Sequence, residues 1–239
     1  MKKFLPAILW STLYFSISNA SLASLPPNNK LVEDQSTGFS VQPGFEVDLV
    51  YKVDNSKYGS WIAMAFDHKG RLVVSDQDKA GTFIIDLPAV GETLQDSMIK
   101  KLPLESSWRG MLFAFDHLYM CAQNRVVRVP ISPEGEFGEM EKLFDQGPGG
   151  EHGPHSLIVT EDGKGLYLVA GNFSKNPPFE KSRIRTNWKD DVLLENYAYG
   201  HNGNGKAPGG WVLKFNPDGT ERELINMGYR NPVDFALNR

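Results

Sequence analysis

WIAMAFDHKGRLVVSD, residues 61–76, decides the fold. An apolar run, a turn carrying Asp and Gly, and a second apolar run opening on leucine make the pattern of a β-hairpin. MLFAFDHLYMCAQ (111–123) repeats it with a shorter turn, and SLIVTEDGKGLYLVAGN (156–172) repeats it again. Leu72, Leu118 and Leu166 hold equivalent places, at intervals of 46 and 48 residues. VDFALNR (233–239) reads as the start of a fourth copy. Each full copy is followed by a further strand-like run: TFIID, RVVRV and, after a delay, WVLKF. A period of about 40–50 residues with several short strands per unit is the mark of a β-propeller. One small twisted sheet has two faces to bury, and its neighbours supply the cover. The expected fold is therefore all-β, a β-propeller of which three to four blades are present, with an open β-sandwich as the alternative.

The rest of the chain fits around these repeats. Lys2 and Lys3, an apolar run from Phe4 to Ile17 and small residues up to Ala23 have the layout of a cleaved signal peptide, 1–23. The run is shorter than a membrane-spanning helix needs and is interrupted by Pro6 and hydroxyls, so no stable membrane span is expected. The protein is then exported, to a periplasmic or extracellular location. Residues 24–43 read as a linker, and 44–239 as the propeller domain, beginning with a strand in FEVDLVYKV (45–53). No amphipathic stretch calls for a helix longer than two turns. Residues 173–208, polar with scattered aromatics, interrupt the third repeat and read as a long loop insertion over one end. Without Lys2 and Lys3 the chain has 23 basic residues against 29 acidic ones. With no Lys/Arg block, this argues against a nucleic-acid partner. Cys121, the single cysteine, excludes an internal disulfide and sits in the apolar run LYMCA. No C-x-x-C-H is present to attach a c-type haem.

Chemistry concentrates in EHGPHS, 151–156. His152 and His155 follow a glycine-rich run at the start of a strand. Three readings stand: metal ligands, a catalytic base near neutral pH, or polar dressing of a turn. The spacing on a Pro-bearing loop lacks the helical geometry of zinc motifs. AGN (170–172) places Asn172 after the next strand, as a site residue or a turn residue. In GYRNPVDF (228–235), Arg230 offers a planar cation for an anionic ligand, Asn231 an amide, and Asp234 a structural partner for Arg230. Arg109, ahead of MLFAF, reads as solvated. DHKG and EDGKG are too short for calcium loops and read as hairpin turns.

Together these motifs resemble the soluble glucose/sorbosone dehydrogenase family. The resemblance lies in His152 followed by Leu157, a D-G turn and LYLVAGN, in RGMLFAF (109–115) and in YRNP (229–232). It is nearest to an exported, planctomycete-type subfamily often fused to a haem-binding domain. That subfamily is matched by GGEHGPH, APGGW and GYRNP in order, from about Pro43 to Arg239. The resemblance implies a six-bladed propeller that uses pyrroloquinoline quinone (PQQ) and calcium to oxidise a sugar or related alcohol. A cytochrome-type electron acceptor is the implied partner. It implies His152 as general base and Asn172 where the family has an aspartate that orients the base. It further implies Arg230 and Asn231 as cofactor contacts, with His155 at a family glycine on the cofactor side, narrowing the site. Val233 stands where the family often has glutamine, and the family's calcium-binding carbonyls fall beyond Arg239. The rival expectation is a non-catalytic propeller that binds a glycan or a protein.

Overall fold

The structure is a computed structural model that describes residues 31–33, 38–146, 150–175, 178–184 and 209–238. The chain divides into two compact units, Met1–Leu49 and Val50–Arg239. The signal-like start, and most of the linker and of the insertion, lie outside the described residues. In the first unit β1 (Val32–Glu33) pairs antiparallel with β2 (Ser40–Val41). Gly44, at φ 91°, then turns the chain so that Phe45 N–H reaches the Gln42 carbonyl.

The second unit begins with one helical turn, α1 (Asn55–Tyr58). Asp54 caps it by accepting the Ser56 N–H at 2.9 Å. Three sheets follow. The first is β3 (Trp61–Phe66), β4 (Leu72–Asp76), β5 (Thr82–Ile85) and β6 (Ile99–Lys101). The second is β7 (Gly110–Ala114), β8 (His117–Cys121), β9 (Arg125–Pro130) and β10 (Glu141–Asp145). Both are antiparallel meanders in chain order. The third holds β11 (Pro154–Val159), β12 (Leu166–Ala170), β13 (Lys181–Ser182), β14 (Gly210–Phe215) and β15 (Glu223–Tyr229). Its spatial order is 11-12-14-15-13, with β13 parallel to β15 on the outer edge. The first strands β3, β7 and β11 neighbour one another in succession. This is a β-propeller in part: three successive blades.

Side-chain hydrogen bonds close the hairpins. Asp67 accepts the N–H groups of Lys69 and Arg71 and the Arg71 Nε at 2.7 Å. Asp162 accepts from the Lys164 N–H and the Thr160 hydroxyl. The shortened turn of the second repeat, Phe115-Asp116, has φ of 49° and 55°, the left-handed pair that a type I′ turn needs.

The sheets pack face to face through their alternation. Ala63 and Ala65 of β3 meet Met111 and Phe113 of β7 in one cluster with the buried Trp108. Leu112 and Ala114 of β7 meet Leu157 and Val159 of β11 in a second, with Trp211 at 0% exposure. By the leucine register, Met64 and Phe66 are the counterparts of Met111/Phe113 and Leu157/Val159, which each meet a preceding sheet. On β3 they are 64% and 58% exposed.

Two sequence expectations change. Residues 45–53 form no strand. Val50 accepts one bond from the Leu94 N–H, and Tyr51 and Val53 instead cover the Tyr58–Val74–Phe83–Ile85 cluster on the first sheet. The fourth copy forms no strand within 231–238, although Phe235 sets its ring edge-on against Tyr167 of β12.

Candidate functional site

Three loops converge at one end of the third sheet. Residues 150–153 lead into β11, Gly171 and Asn172 leave β12, and Arg230 and Asn231 leave β15. Backbone bonds tie them together. Gly171 N–H reaches the Gly153 carbonyl at 2.9 Å, Asn172 N–H the Arg230 carbonyl at 2.8 Å, and Phe173 N–H the His152 carbonyl at 3.2 Å. Gly171 is where this closeness excludes a side chain. A Cβ there would stand 2.7 Å from the His152 carbonyl oxygen, 2.9 Å from Asn231 Oδ1 and 3.0 Å from the Arg230 oxygen.

His152 is 3% exposed, and its ring stacks on Phe173 at 4.2 Å between centroids. Its Nδ1 lies 2.7 Å from Asn172 Oδ1. An amide oxygen only accepts, so Nδ1 is the donor in this bond. His155 Nε2 lies 2.9 Å from Asn231 Oδ1, so here Nε2 is the donor. Sequence spacing left these histidines as possible turn dressing bonded to nearby carbonyls. The structure gives each the side-chain amide of a distant loop.

The other predicted residues also find places. Arg230 is exposed and has no ion pair among the described residues. Asp234, its suggested partner, instead accepts the Ser156 hydroxyl at 2.7 Å. Val233 is exposed. Arg109 is not simply solvated: its Nη1 donates to the Glu151 carbonyl at 3.0 Å, because β7 lies beside β11 and brings the histidine loop over it. Cys121 is fully buried, and burial pushes its thiol up to about 12, which makes it inert as a nucleophile. Among the described residues no three His, Cys, Asp or Glu side chains gather to hold a metal ion. Sequence reasoning missed Phe173. Its only signal was an aromatic directly after Asn172 at a strand exit.

Burial lowers the His155 pKa below its ordinary value; the Asn231 bond opposes this, and the charges of Arg109 and His152 reinforce it. A histidine whose folded pKa is depressed contributes stability that is complete above about 6.5, its unfolded value, and is lost as pH falls through the folded value. The urea midpoint is therefore expected to decline from pH 7 toward pH 5, with a shallower decline in His155→Gln.

No protein-family model matches this chain. No curated protein matches it. Solved structures similar to it include the calcium structure of a family AA12 carbohydrate-active enzyme from Trichoderma reesei (TM-score 0.48, 12% identity, covering 73% of this chain and 42% of that one). Another is the holo form of the pyranose dehydrogenase PQQ domain from Coprinopsis cinerea (0.43, 12%, 69% and 36%). A third is the PQQ-bound aldose sugar dehydrogenase from Streptomyces coelicolor (0.42, 18%, 72% and 51%). The chain spans between about a third and a half of the length of the structures it matches. The assignment of the fold rests on the three repeating sheets themselves.

Proposed function

We propose that this chain belongs to an exported, quinone-dependent oxidoreductase that oxidises a sugar or related alcohol, with PQQ and calcium as its cofactors. The observation that carries the proposal is the gathering of EHGPH, AGN and GYRNP into one network, with His152 Nδ1 donating to Asn172. The residues present fit an anionic quinone. Arg230 is an exposed cation without an ion pair among the described residues, and Asn231 uses its oxygen on His155 and keeps its amide N–H groups for a ligand. PQQ, when bound, accepts the hydride of the alcohol. His152 takes the hydroxyl proton on Nε2, and Asn172 positions the ring. Phe173 covers one face of that ring and keeps water from it. A cytochrome-type protein is the proposed electron acceptor.

A second reading has one observation in its favour. Asn172 is neutral, and an amide stabilises an imidazolium less than a carboxylate would. On that reading the propeller binds a glycan or a protein and does no redox chemistry. Calorimetric titration with PQQ in the presence of calcium separates the two. Binding is expected, weakened about 10–100-fold by Arg230→Ala, as the loss of a charged hydrogen bond implies. A folded protein that takes up no PQQ would give the ground to the binding propeller.

A further inference from the structure

A cleft of about 710 Å³ opens between the first and second sheets. Its walls are the loop after β4, the segment ahead of β7 and the loop after β8, which lie at the end where the histidine loop meets β11. Gln123, on its rim, borders that loop: a Cβ on Gly153 would stand 3.9 Å from the Gln123 Cα.

The charges lining the cleft are Lys79, Lys101, Arg125 and one acid, Glu105. This is a local excess of cations in a chain whose net charge is −4. Glu105 is already bound by Arg125, and neither lysine has an ion pair among the described residues. Arg125 lies over the Trp108 ring at 5.3 Å, and its Nε is buried without an acceptor. The site is built rather than incidental. Gly81, at φ 130°, makes room for Lys101, since a Cβ there would stand 2.6 Å from Cε and 3.1 Å from Nζ of that side chain. The Ser107 hydroxyl donates to the carbonyls of Gln77 and Asp78 at 2.7 and 2.9 Å, and Ser106 also donates to Asp78, so the two walls are pinned together. Like charges held around one cleft repel, and an oxyanion among them removes that cost. No aromatic ring lines the cleft, so it offers no stacking platform for a nucleobase. Its volume suits a mono- or disaccharide.

We infer that this cleft is a subsite for the anionic group of an acidic saccharide, a carboxylate or a sulfate ester, held by Lys79 and Lys101 beside the centre described above. The saccharide part rests on the proposed function, while the oxyanion part stands on the cleft itself.

The test is calorimetry at low ionic strength without PQQ, using D-glucuronate, glucose 6-sulfate and D-glucose in turn. The double variant Lys79→Gln/Lys101→Gln is compared with the unaltered protein. Both lysines are exposed, so the variant is expected to fold, as circular dichroism would verify. At least one charged probe is expected to bind about tenfold or more tightly than glucose, and the better of the two identifies the anion. The double variant, or about 0.5 M sodium chloride, is expected to abolish that advantage. The inference is overturned if neither charged probe outbinds glucose, or if the double variant binds them unchanged. It is also overturned if the double variant loses PQQ while Arg230→Ala keeps it, for the cleft would then be the quinone's own seat. Retained anion binding in a protein that takes up no PQQ would instead defeat the oxidoreductase reading and leave the oxyanion site standing.

Discussion

His152→Gln is expected to lower quinone-dependent turnover about 10²–10⁴-fold, the usual worth of a positioned general base, with PQQ affinity little changed. Glutamine fills much of the space over Phe173 and offers its own amide to Asn172, so it keeps the packing that alanine would empty. It has no lone pair of comparable basicity to take the hydroxyl proton. The loss should fall on kcat rather than KM, since the interaction removed is one made as the proton leaves. A variant that turns over at the unaltered rate, at saturating PQQ and calcium, would place the base on another residue.

Trp211→Ala is expected to cost about 3–5 kcal/mol of stability, the range for emptying a large aromatic site in a core. Trp211 is fully buried in the cluster that joins the second and third sheets, with Leu168, Leu213 and Phe215. Its Nε1–H donates to the Lys175 carbonyl at 3.0 Å, an acceptor that alanine leaves without that partner. Trp211 pairs with Ala170 on one side and Met227 on the other, two positions from Asn172 and three from Arg230. Equilibrium urea unfolding measures the loss, and Trp211→Phe should recover most of it. A loss below about 1 kcal/mol would mean that the third sheet does not depend on this contact.

Strands β4, β8 and β12 were legible in the sequence because each buries most of its residues. LYLVA is wholly buried as β12, and LVVSD nearly so as β4. The outer strands were not. Glu141–Asp145 buries only Phe144, and Ile99–Lys101 only Ile99, because a blade's outer edge faces water and a single anchor makes no period. β13 lies within the stretch read as a loop insertion, and it joins its sheet through a parallel bridge to β15 rather than through a hairpin. Phe45–Val53 erred the other way: Tyr51 and Val53 cover a sheet face without joining a ladder, and Phe45, Leu49 and Val50 are exposed. The candidate site was legible as motifs, each unusual on its own. Their pairing was not, since His155 meets Asn231 across 76 residues and His152 meets Asn172 across 20. Those distances are bridged only by the curl of β11, β12 and β15 to a common end. Spacing in the chain carries no trace of it.

Residues 231–238 are held to the third sheet without any strand ladder. The described anchors are the Asn231 amide on His155, the Asp234 carboxylate on Ser156 and the Phe235 ring on Tyr167. A segment fastened by so few points docks with little free energy of its own, so its docking and the occupancy of Arg230 and Asn231 form one thermodynamic cycle. Whatever ligand grips those two residues draws the strap onto the sheet, and whatever steadies the strap tightens the ligand by the same factor. Affinity measured at this site is thus also a reading of how firmly the polypeptide beyond Tyr229 is moored.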